Sequence, residues 1–122
     1  MIQNFEDYTF ELNKYEKESL LPQIVLGLSL RIGKTNAITN KQAISKLKQK
    51  GFKITPARFR KIIQYIRLTG MINNLLASKK GYYISHDSNE REKYINSLHE
   101  RSNALNNTLK ALEWQHKNTK AC

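Results

Sequence analysis

The stretch from Thr55 to Gly70 carries its own start and stop signals, and any fold of this chain has to be arranged around it. Thr55 offers a side-chain oxygen to the unpaired amides of a first helical turn, and Pro56 suits the first helical position, where no N–H is needed. Gly70 follows the last periodic residue, where left-handed backbone closes a helix at least cost. Phe59, Ile62, Ile63 and Ile66 recur at helical spacing as one apolar stripe. Lys61, Gln64 and Tyr65 fall on the opposite side, with Arg58, Arg60 and Arg67 nearer the flanks. A helix that is apolar on one face and cationic on the other, with amide and phenol groups among the cations, suits a nucleic-acid groove.

The charge around this helix is unevenly placed. The formal net charge of the 122 residues is +11. Residues 1–30 hold five acids (Glu6, Asp7, Glu11, Glu16, Glu18) and two lysines, residues 31–85 hold thirteen Lys or Arg and no acid, and residues 86–122 hold five acids and six bases. Ordinary surfaces mix both signs. Thirteen unopposed cations cost folding free energy through self-repulsion, so their presence points to a polyanionic partner.

Along the chain, residues 1–13 read as an N-terminal arm in which Tyr8, Phe10 and Leu12 alternate with polar residues. Over residues 14–32 a helical stripe of Leu21, Ile24, Val25, Leu28 and Ile32 emerges, ended by Gly33. Pro22 either falls in the first turn of a helix beginning near Ser19 or kinks a longer one. Thr39 with Gln42 fits a capping box, opening a helix to about Lys50 that buries Ala43, Ile44 and Leu47, and Gly51 stops it. After Gly70, two short apolar runs separated by Lys79-Lys80-Gly81 read as a β-hairpin with the glycine relieving the turn. From Ser88 or Asn89 a last helix runs to about Lys117, in which Ile95, Leu98, Leu105, Leu109 and Leu112 keep a heptad rhythm and Ser102 fills one seam position.

Helix, turn, helix and then a hairpin with a basic tip resembles the winged helix-turn-helix family of DNA-binding proteins. The order of elements, the Thr39 and Thr55 caps, the Arg58 to Arg67 face and the Lys79-Lys80-Gly81 tip carry the likeness, which covers residues 14–85. More narrowly, the chain is similar to small winged-helix proteins of bacterial prophages and mobile elements. The resemblance implies a mainly α (α+β) fold: a winged-helix domain over residues 14–86, with a C-terminal hairpin wing, followed over 87–122 by a long helix for dimerisation or for packing on the domain. It also implies a recognition helix over 55–69, with Arg58 and Lys61 deepest in a major groove and Gln64 and Tyr65 following.

The expected DNA contacts are therefore Arg58, Arg60, Lys61, Gln64, Tyr65 and Arg67 on that helix. Thr39, Lys41 and Lys46 would meet phosphates from the preceding one. Lys79, Lys80 and Tyr82 would do so from the wing, where Tyr82 could stack or bond to a backbone. The expected partners are double-stranded DNA and a second copy through residues 88–117. The rival reading, of a different class, is a protein-interaction module that blocks a host defence or replication complex, its acidic arm and last helix carrying the contacts.

Catalysis finds no support. Glu90 and Glu92 do not share a helix face, no serine has an evident histidine partner, and there is no glycine-rich phosphate loop. With Cys122 the single cysteine, and His86, His99 and His116 scattered, neither a disulfide framework nor a metal site is expected, and no cofactor. Residues 1–7 lack the order of a signal peptide, and the apolar run from Ile24 to Leu30 is far too short to span a membrane. The expected setting is cytoplasmic: a nucleoid-associated regulator, or one acting in a phage-infected bacterial cell.

Overall fold

A computed structural model describes residues 12–119. The expected arm lies outside these residues except for its last two, and so does Cys122. Those two residues belong to the body. Leu12 is buried in the core. Asn13 opens the first helical turns through a reciprocal pair, accepting from the Glu16 N–H at 2.8 Å while its own N–H donates to Glu16 Oε1 at 2.9 Å.

The chain divides into two compact units, Met1–His86 and Asp87–Cys122. The first is mainly helical. It begins with a π-helical turn, Glu16–Leu20, in which the Leu21 N–H reaches back to the carbonyl of Glu16. That loosened turn leads directly into α1 (Leu21–Ser29), with Pro22 in its first positions. Since Pro22 has no N–H to donate, one wide turn upstream lets a longer helix run on through it.

α1 buries Leu21, Ile24 and Leu28 but stops at Ser29, short of the expected Gly33. Ile32 is not on the stripe; it stands about half exposed and pairs with a strand. The Ile84 N–H donates to the Arg31 carbonyl at 2.7 Å, and the Gly33 N–H donates to the Ile84 carbonyl at 2.9 Å. A strand that satisfies these backbone groups removes the reason for the helix to continue.

α2 (Asn40–Gln49) starts with the expected capping box: Thr39 Oγ1 accepts from the Gln42 N–H at 3.1 Å, and Gln42 Oε1 accepts from the Thr39 N–H at 3.0 Å. α3 (Pro56–Thr69) has Thr55 as its cap, Pro56 in the first turn and Gly70 closing it at φ 74°. It buries Phe59, Ile62, Ile63 and Ile66, the centre of a core that also takes Leu20, Leu47, Ile72 and Leu75. Phe52 and Ile54, between α2 and α3, both pack against it.

β1 (Leu75–Ser78) and β2 (Gly81–Ile84) form a two-stranded antiparallel sheet with Leu75 opposite Ile84 and Ser78 opposite Gly81. The loop is thus Lys79-Lys80 alone, and Gly81, expected in the turn, is the first residue of β2. Its place has a steric cause. At φ 116° a Cβ on Gly81 would sit 2.1 Å from the Ile38 carbonyl oxygen, because the segment after α1 runs along the far edge of β2. Tyr82 and Ile38 exchange both backbone hydrogen bonds there, at 2.8 and 3.0 Å.

The second unit contains α4 (Ser88–Thr119), 32 residues capped by Asp87 Oδ1, which accepts from the Asn89 and Glu90 amides. No residue of α4 is buried. No described helix is long and apolar enough to cross a membrane.

Candidate nucleic-acid interface

All thirteen cations of the acid-free stretch lie in the first unit, and none is buried. Nine are exposed (Lys34, Lys41, Lys46, Lys48, Lys50, Lys53, Arg60, Lys79 and Lys80), while Arg31, Arg58, Lys61 and Arg67 are half-buried. The core stripe of α3 fixes which of its residues can meet a ligand. At 100° per residue, Ala57, Lys61, Gln64 and Leu68 lie diametrically opposite Phe59, Ile62 and Ile66, with Arg60 and Arg67 on one flank and Arg58 and Tyr65 on the other. Arg60 is exposed and Gln64 half-buried.

Arg58 is placed otherwise than its expected lead role requires. Its guanidinium forms a forked pair with the carboxylate of Glu16: Nε donates to Oε2 at 2.6 Å and Nη2 to Oε1. Glu16 is only 3% exposed, whereas about a third of the Arg58 side chain meets solvent. The arginine's hydrogen bonds hold the Glu16 carboxyl below its ordinary pKa against the opposing effect of burial; the Asn13 amide and the nearby charge of Lys61 add to the lowering. In turn the carboxylate raises the pKa of Arg58. Arg58 is therefore a clamp between α3 and the first helical turns, its guanidinium engaged by Glu16. Tyr15 makes a second tie across the same seam, its hydroxyl accepting from the Lys53 N–H at 3.2 Å.

Three further expected contacts turn inward. Arg67 Nε donates to the Leu75 carbonyl at 3.1 Å, and its guanidinium carbon lies 6.0 Å from the centre of the Tyr82 ring. Tyr82 packs tilted on Phe59, with ring centres 6.3 Å apart. Arg67 and Tyr82 thus bind the end of α3 to the hairpin, and Tyr82 is only half exposed for stacking on anything else. Tyr65, expected on the outer face, packs instead against the core.

The remaining expected residues divide between two clefts. Thr39 and Lys41 share one of about 310 Å³ with Ser78, Lys79 and Tyr82, so the start of α2 and the hairpin tip face a common space. Lys46 lies with Lys50 and Arg31 on the rim of another, of about 370 Å³, between α1 and α2, floored by Ile24, Leu28, Leu47 and Phe59. Lys46 and Lys41 are 140° apart around α2, so Lys41 lies toward the hairpin and Lys46 does not. Lys80 is exposed at the tip, and the Ser78 hydroxyl accepts from its N–H at 3.1 Å.

Sequence reasoning missed Glu16, counted only among the acids of the N-terminal region. The signal was present: Asn13 followed three residues later by Glu16 is a helix-start pattern that fixes the carboxylate in the first turn. Among the described residues no cluster of His, Cys, Asp and Glu could hold a metal ion. No protein-family model, curated protein or solved structure matches the chain.

Proposed function

We propose that the first unit is a winged helix-turn-helix that binds double-stranded DNA without catalysing a reaction, as a regulator of the phage or mobile-element type. Three features support the fold: the order of α1, α2, α3 and hairpin, the capping of α2 and α3, and the pairing of the segment after α1 with β2. What carries the function is the acid-free stretch, which keeps nine of its thirteen cations exposed on one small unit. In this reading Arg60, Lys61 and Gln64 face the major groove. Lys41, Lys79 and Lys80 hold phosphates, and Arg58, Arg67, Tyr65 and Tyr82 keep α3 and the wing in place.

Fluorescence anisotropy with a labelled mixed-sequence duplex tests this. The full chain is expected to bind, and Lys79→Ala with Lys80→Ala to weaken all duplexes alike. Gln64→Ala is expected to change which sequences are preferred. Absence of binding at 50 mM salt would overturn the proposal, and a partner that survives nuclease treatment of a host lysate would then favour the protein-interaction reading.

A further inference from the structure

α4 is about 48 Å long at 1.5 Å per residue, and none of its residues is buried. Yet Ile95, Leu98, Leu105, Leu109 and Leu112 are between 44% and 72% exposed, and they are not scattered. With Ser102 they alternate in steps of three and four over positions 95, 98, 102, 105, 109 and 112, the a and d positions of a heptad repeat. A helix lying on a globular surface carries a wider stripe, three to four apolar residues per two turns. The narrow seam with two per heptad matches another helix of the same pitch.

We infer that this seam pairs with α4 of a second copy of the chain, forming a two-stranded coiled coil. Every copy carries the complementary surface, and the flanking positions suit self-pairing. They hold Arg101 and Glu113 of opposite sign, with Tyr94, His99, Asn106, Thr108 and Gln115 at the rest, so identical helices meet little like-charge repulsion. From Ile95 to Leu112 the facing strip is about 27 Å by about 10 Å, roughly 270 Å² per helix and roughly 540 Å² per pair, the size of a weak, reversible association. Ser102 leaves a small polar gap in the middle of the seam and tunes the pair toward modest affinity. Trp114, although 67% exposed, lies on the opposite side of α4 and takes no part.

The inference does not rest on DNA binding and is tested without nucleic acid. Sedimentation velocity of the full chain, in reducing buffer so that Cys122 forms no cross-link, is expected to show dimer across roughly 1–100 μM. Leu105→Asn with Leu109→Asn should give monomer over that range, while Trp114→Ala should leave the dimer intact. Ser102→Leu fills the seam and is expected to lower the dissociation midpoint at least tenfold, a gain that misfolding cannot mimic. Monomer at 100 μM for the unaltered chain overturns the inference. So does a seam variant that keeps the dimer, or a Ser102→Leu midpoint equal to that of the parent.

Discussion

The pair between Glu16 and Arg58 is the sharpest place to test how α3 is held. Hydrogen bonds to charged groups contribute about 1.5–3 kcal/mol each, but about a third of the Arg58 side chain meets water, which screens the pair and competes for its donors. The discounted coupling is about 2 kcal/mol. Glu16→Gln retains an acceptor for the Asn13 amide and is expected to cost about 2 kcal/mol. Arg58→Ala strands a buried carboxylate and is expected to cost more, about 3 kcal/mol. At about 4–8 °C per kcal/mol for a unit of this size, the first corresponds to a Tm lower by roughly 10 °C.

Thermal and urea unfolding of the two single variants and the double variant, followed by circular dichroism, closes a double-mutant cycle. Because the folded-state pKa of Glu16 is lowered, the coupling is fully present above the ordinary carboxylate value. It is lost as the pH falls through the lower, folded one. A coupling below about 0.5 kcal/mol at pH 7, or one that strengthens as the pH falls below the ordinary carboxylate range, would refute the clamp. Glu16→Gln also separates clamp from reader: by releasing a guanidinium it should leave duplex affinity unchanged or raise it, despite the loss of stability. A sharp fall in affinity in a variant shown to be folded would return Arg58 to the interface.

Gly81→Ala forces a Cβ into the Ile38 carbonyl and should cost about 3 kcal/mol or more, seen as a greatly lowered Tm or as failure to fold. Thr39→Ala removes one half of the α2 capping box and should cost about 1 kcal/mol in urea unfolding. Arg60→Ala should leave the Tm within about 1 °C, since the side chain is exposed, while reducing the salt dependence of duplex binding by about one charge.

The parts of the fold legible in the sequence are those written in local chemistry. Thr39 with Gln42, Thr55 with Pro56, and Gly70 each satisfy or end a helix by contacts within a few residues, and the stripe of Phe59, Ile62, Ile63 and Ile66 follows from period alone. What escaped depends on contacts distant in sequence. Ile32 reads as one more turn of helix until Ile84, 52 residues later, claims its neighbours' backbone groups. Gly81 reads as turn chemistry until the Ile38 carbonyl crowds it.

The site shows the same division. The helical period puts Lys61 and Gln64 opposite the core stripe, where both are half-buried, but it cannot say that a flanking arginine has a partner 42 residues earlier or that the Tyr65 ring folds back against the core. Charge by itself marked a stretch of sequence, residues 31–85. Only packing distinguishes the cations that remain exposed from those that hold the unit together.

The central claim, that the exposed cations of residues 31–85 meet a polyphosphate duplex, is tested most directly by titrating a labelled mixed-sequence duplex with the full chain between 50 and 300 mM salt. The phosphate contacts of Lys41, Lys79 and Lys80, with Arg60 and Lys61 beside them, are about three to five and predict a fall of log affinity with log salt at a slope of about −3 to −4.5. A slope near zero would contradict the claim.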